Sequence, residues 1–282
     1  MYQLKYTFKT DTLFKMLFVK YPDLLKVLVA ALLEIPVDTI EEFIIQNPEM
    51  PPQSLESKFC RLDINMIVNG QRVDIEIQVN NERDYPDRVM FYWAREFSSA
   101  LPAGHSYSEL PRTIIISIID FELFDDTEDF HSFFQPLEVS RHTLLSDKMG
   151  FHFFELPKLP QLSDNANEND MLHLWLSLFK AETVEELEKI RELEVPVMSE
   201  AINAYTAITS SREFQEVERL REKARHDEAQ ALYDAELKGM EKGKAELIRN
   251  LVNAGMPFDQ IVKMLGLNQI ETENLRAAVY TQ

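Results

Sequence analysis

The stretch from Arg61 to Val79 constrains this chain more than any other. Two runs of alternating polar and apolar residues flank Asn69-Gly70, the strongest short-range signal for a two-residue β-hairpin turn. A turn centred there pairs residues whose numbers sum to 139: Val68 with Gln71, Asn65 with Asp74, Asp63 with Glu76, Arg61 with Gln78. A four-residue loop with the same centre keeps this register, whereas an odd-length loop breaks it. Side-chain alternation then puts positions 61, 63, 65, 74, 76 and 78 on one face. Leu62, Ile64, Met66, Val73, Ile75, Ile77 and Val79 form the other face, available for burial. Asp63 opposite Glu76 is electrostatically unfavourable, because directly paired residues have Cβ atoms ~5 Å apart. Water on an open face, a basic partner or a divalent cation can relieve the repulsion, and spacing alone leaves these alternatives open.

The rest of the chain places helices and further strands around this hairpin. Residues 10–34 carry apolar positions at helical spacing, with a break at Tyr21-Pro22 and Thr10 or Asp11 as the N-cap. Residues 40–46 read as a strand and Pro51-Pro52 as a loop. Residues 84–101 read as a helix with Pro86 in its first turn, and Arg88, Tyr92 and Arg95 share one of its faces. Residues 112–120 form a short continuous apolar run without alternation, as expected of a strand buried on both sides. Residues 133–142 and 150–156 suggest a second hairpin. A mixed α/β sheet flanked by helices, in the order αβββαβ, is the expected core over residues 1–160. A linker at Ser163–Asp170 then leads into a helical C-terminal extension, residues 161–282. Within it, Met171–Phe179 reads as a buried helix and 211–250 as a long charged one. The thin apolar stripe of that long helix, including Phe214, Val217, Leu220 and Leu237, suits projection or self-association into a homo-oligomer. Two short helices separated by Gly266 end the chain.

Composition restricts the chemistry. A single cysteine, Cys60, excludes an intrachain disulfide and a cysteine zinc cage, and fits a cytoplasmic protein. No signal-peptide pattern opens the chain and no apolar run is long enough to span a membrane. The six histidines show no metal-ligand spacing. No phosphate-loop, dinucleotide or nucleophile-elbow motif is present. The net charge of −19 is spread evenly: residues 1–160 carry 15 Lys and Arg against 25 Asp and Glu, and the remainder 14 against 23. Binding to DNA therefore requires locally clustered cations, metal ions or a basic partner.

Asp63, Glu76 and the amide oxygen of Gln78 make a hard-oxygen set suited to Mg²⁺ or Mn²⁺ and hence to phosphodiester hydrolysis. These residues, set between helices of this kind, resemble the PD-(D/E)XK nuclease core, and within it the recombination-promoting nuclease and transposase (Rpn) family. Asp11-Thr12-Leu13-Phe14-Lys15-Met16-Leu17-Phe18 resembles that family's D-x-x-F-K-x-L-F helix, and Lys58 to Ile64 its K-x-x-x-L-D-I strand. Glu76-Ile77-Gln78 is similar to its E-x-Q triplet, Arg88 with Tyr92 to its R-x-x-x-Y, and Gly104 with Tyr107 to its G-x-x-Y turn. The resemblance covers residues 10–125 and implies a restriction-endonuclease-like fold and metal-dependent DNA cleavage linked to recombination and mobile elements. It implies Asp63 and Glu76 as metal ligands. Gln78 stands where the wider superfamily usually has a lysine, and an amide supplies no positive charge. Lys15, then Lys58, are the candidates to supply it. Lys15 as an ordinary surface lysine is the competing reading. Asp11 either assists the site or caps its helix. Arg88 and Tyr92 either hold a phosphate and support the metal ligands, or serve the fold through an Arg88–Asp84 pair and packing of Tyr92 on the sheet. Asp74 is expected to pair with Arg72 or face solvent. A nuclease fold with little activity, acting as an interaction or regulatory subunit, is the alternative function.

Overall fold

A computed structural model describes residues 2–46, 64–81 and 84–267, together with 269, 272, 273 and 276. Asp63, Lys58, Arg61 and Cys60 lie outside the described residues. The hairpin turn has the backbone its sequence demands: Asn69 (φ 48°) and Gly70 (φ 75°) are both left-handed, which favours Asn and Gly at these two positions. Asn69 also anchors the turn. Its Oδ1 accepts from the Glu41 and Glu42 amides at 2.9 and 3.0 Å, and its Nδ2 donates to the Thr39 carbonyl at 2.7 Å. Strands β2 (Ile64–Val68) and β3 (Gln71–Gln78) follow from it, and all five described pairs obey the predicted register, from Val68–Gln71 to Ile64–Ile75.

The sheet has six strands in the order β1-β2-β3-β4-β6-β5, adding β1 (Phe43–Ile45), β4 (Thr113–Ile119), β5 (His131–Phe134) and β6 (Met149–Glu155). β3, β4 and β6 run parallel, and the outer pairs are antiparallel. The predicted break at Pro22 separates α1 (Asp11–Lys20) from α2 (Pro22–Leu32). Helix α3 (Tyr85–Ser99) makes the crossover between parallel β3 and β4. β4 is buried at every position, as its unbroken apolar run requires. The second hairpin differs from expectation. Its first strand is His131–Phe134 rather than 133–142, because the chain leaves the sheet edge after Phe134 and returns only at Met149.

Alternation along β3 divides the sheet into two unlike faces. Val73 and Ile75 point into the main core, which α1 and α2 cover with Leu13, Phe14, Leu17, Leu25 and Leu28. The opposite face lies under α3, where Tyr85 and Val89 pack on Ile115, Ile119, Phe151 and Phe153.

The main core extends further along the chain than composition suggested. Helices α4 (Met171–Lys180), α5 (Val184–Glu192) and α6 (Pro196–Thr209) belong to it. The Phe14 and Phe179 rings lie 6.0 Å apart and those of Phe18 and Trp175 5.9 Å apart. The compact units are therefore Met1–Glu218 and Arg219–Gln282, with no boundary at residue 160. The aromatic residues that close the core come from both sides of the Asn- and Asp-rich linker, so the linker joins parts of one unit.

Helix α7 (Arg212–Asn253) realises the long charged segment. In the second unit its end packs on α8 (Phe258–Leu265), where Ala245, Ile248, Phe258 and Ile261 form a small core. Gly266, left-handed at φ 62°, ends α8 where the sequence placed the break. Among the described residues no helix is long and apolar enough to cross a membrane.

Candidate active site

The polar face of β3 carries Arg72, Asp74, Glu76 and Gln78 in line beneath α3. Glu76 is 6 % exposed, an unusual depth for a carboxylate. Gln78 follows two residues on, at the C-terminal end of the strand. Its Nε2 donates to the Asn80 carbonyl at 2.9 Å, which turns its Oε1 towards α3. There the Arg88 Nη2 donates to Gln78 Oε1 at 2.8 Å and approaches Glu76 Oε1 at 3.4 Å. The guanidinium carbon lies 4.9 Å from the centre of the Tyr85 ring, one helical turn earlier.

The Arg88 side chain turns to the sheet rather than to Asp84 on its own helix. The contact with Asp84 is only the helical backbone bond from Arg88 N to Asp84 O at 2.9 Å. The guanidinium reaches across to the sheet because two acceptors await it there and Tyr85, fully buried, gives it a flat surface to lie on. Tyr92 is half-buried, with its ring against that of Phe91 at 5.9 Å, and Arg95 is exposed.

Lys15 is not a surface lysine. It lies on α1 and is 2 % exposed, in a run of buried residues from Thr12 to Phe18. Asp11 is the first residue of α1, and the N-cap position belongs to Thr10, so Asp11 contributes to the first turn rather than capping it. Asp74 is buried too, against the expectation of an Arg72 partner or solvent. The Asn65 amide, opposite it in the register, donates to its two oxygens at 2.5 and 3.2 Å in the orientation that satisfies both groups. Arg72 turns to α3 instead, meeting Glu96 Oε2 at 3.3 Å and the Ser99 hydroxyl at 3.0 Å.

Three features near the site have no signal in local sequence. Tyr85 under Arg88 is readable only as an i, i+3 pair on a helix, a spacing too common to single it out. Ser117 pairs with Glu76 across β3 and β4, is fully buried, and its hydroxyl has no hydrogen-bond partner among the described residues. Lys9, 5 % exposed, binds Asp120 at 2.6 Å and Glu182 at 3.1 Å. This ties the lead into α1 to the end of β4, where the Asp120 amide donates to the Gln78 carbonyl.

The αβββαβ order, the mixed sheet and the acid-x-amide triplet on the strand after the hairpin are the frame in which comparison with known proteins becomes informative. The model for the PD-(D/E)XK nuclease family transposase matches residues 8–235. This chain belongs to that family. No curated protein and no solved structure matches it. PD-(D/E)XK nucleases generally use divalent metal ions, and the Glu76 and Gln78 oxygens are of the hard type such ions prefer. The match runs past residue 160 and beyond the linker, in keeping with the undivided core.

Proposed function

We propose that this PD-(D/E)XK family member is a metal-dependent DNA endonuclease, linked to recombination or mobile elements. The observation that carries the reading is the pairing of buried Glu76 and half-buried Gln78 on β3, both contacted by Arg88 from α3. Asp63 and Glu76 would hold a Mg²⁺ or Mn²⁺ ion. When bound, such an ion supplies Lewis acidity at the scissile phosphate. Gln78 orients groups around the site through its amide, and Lys15 is the buried ammonium on α1 from which positive charge is drawn. Lys58, also outside the described residues, is the second candidate. Arg95, exposed on α3, would meet the DNA backbone with half-buried Tyr92 beside it, and Arg95 would supply local positive charge in an otherwise acidic chain. Tyr233, Leu237, Met240 and Leu247 are exposed on α7 at near-heptad spacing, which supports self-association through the C-terminal helices.

The test is supercoiled-plasmid nicking with Mg²⁺, with Mn²⁺ and with EDTA. Wild type is compared with Asp63→Ala and Glu76→Ala. Metal-dependent nicking that drops by the order of 100-fold or more in both variants is the expected result. Nicking that survives either change removes the site assignment. Absence of nicking in every metal removes the endonuclease reading.

A further inference from the structure

We infer that Arg88 is a built-in cation which occupies the Glu76 carboxylate in the metal-free protein and yields it when a divalent ion enters. The inference rests on the reading of Glu76 as a metal ligand and adds a positioning residue to it. The geometry is specific. One guanidinium nitrogen, Nη2, reaches both Gln78 Oε1 at 2.8 Å and Glu76 Oε1 at 3.4 Å. The shorter contact goes to the neutral amide, and the longer one to the carboxylate that an ion would need. Gln78 is itself fixed, because its other amide atom is committed to the Asn80 carbonyl. Arg88 is therefore anchored at Gln78 and on the Tyr85 ring, and can release Glu76 without leaving its place.

Two consequences follow. A guanidinium beside a metal-binding carboxylate competes with the ion for the same oxygen and raises the local potential, so it lowers metal affinity while keeping Glu76 oriented. And an ammonium at position 78 would stand against the guanidinium, so Gln78 and Arg88 form a matched pair: neutral acceptor with cationic donor. The cation in direct contact with the triplet then sits on α3 rather than on the strand, in addition to the charge assigned to Lys15.

The experiment measures Mn²⁺ binding by calorimetry, and metal-free thermal unfolding, for wild type, Arg88→Gln, Arg88→Lys, Gln78→Lys and the double variant Gln78→Lys/Arg88→Gln. Arg88→Gln should bind Mn²⁺ roughly tenfold more tightly than wild type, because a competing charge is gone. Arg88→Lys, which keeps the charge, should stay within about threefold of wild type. Without metal, Gln78→Lys should unfold at lower temperature, and the double variant should recover most of that loss. A residue with a merely structural role predicts the reverse sign, weaker binding in Arg88→Gln. That result overturns the inference, as does a double variant whose destabilisation equals the sum of the single changes. Plasmid nicking run in parallel separates the two readings. Tighter Mn²⁺ binding in Arg88→Gln without nicking by any variant sinks the endonuclease and leaves Arg88 in this role. Metal-dependent nicking by wild type with weaker binding in Arg88→Gln does the opposite.

Discussion

Acid should loosen the β5–β6 edge of the sheet through one histidine. His152 on β6 is 9 % exposed and stacks on Phe133 at 4.2 Å, while its Nδ1 shares a hydrogen bond with His131 Nε2 at 3.0 Å. Burial, then the charges of His131 and Arg112, push its pKa down from 6.5 to about 4. His131 is lowered as well, chiefly by burial, with the Glu34 carboxylate at 3.9 Å opposing. The unfolded chain, where a histidine titrates near its ordinary value, thus takes up protons before the folded chain does. The stability that neutral His152 contributes is fully present above about pH 6.5 and is lost as pH falls through about 4. At about pH 5 the unfolded histidine is almost fully protonated and the folded one almost fully neutral, a difference of about 2 kcal/mol. The measurement is urea unfolding of wild type and His152→Phe at about pH 7.5 and about pH 5, in one buffer series. His152→Phe keeps a ring against Phe133 and Phe154 but cannot take a proton. Wild type should lose about 2 kcal/mol more than the variant between the two conditions. Equal losses would refute the assignment, since the carboxylates that titrate in acid are common to both proteins.

Three other changes test the frame of the site. Gly70→Ala should cost about 1 kcal/mol in urea unfolding: a Cβ there meets nothing within 4 Å, so the penalty is the left-handed φ of 75° alone. Lys9→Met should cost about 2–3 kcal/mol in the same assay, because it strands Asp120 beside Glu182 in a partly buried position. Trp175→Ala should cost about 3–5 kcal/mol, lowering the unfolding temperature of the whole sheet unit if α4 shares its core. A separate low-temperature transition would contradict that sharing.

The hairpin was legible because its determinants are local. Two residues with positive φ fix the turn, the turn fixes the register, and the period of two fixes the faces, all within the described part of residues 61–79. The helix break at Pro22, the unbroken β4 run and the end of α8 at Gly266 are equally short-range. Residue types on the strand also sufficed to nominate Glu76 and Gln78. The sequence could not say which of several partners within reach a side chain would take. Arg88 had Asp84 one turn away on its own helix, and Asp74 had Arg72 on its own strand, yet both pair elsewhere. Those choices depend on the distance between α3 and the sheet, which long-range packing sets. The same packing buries Lys15 and Lys9, and draws α4 to α6 into a core that composition had assigned to another domain. The sequence by itself thus determined the strand, its register and the acids it presents. Only the tertiary structure decided which cation stands beside them, because that contact joins residues whose approach no local rule governs.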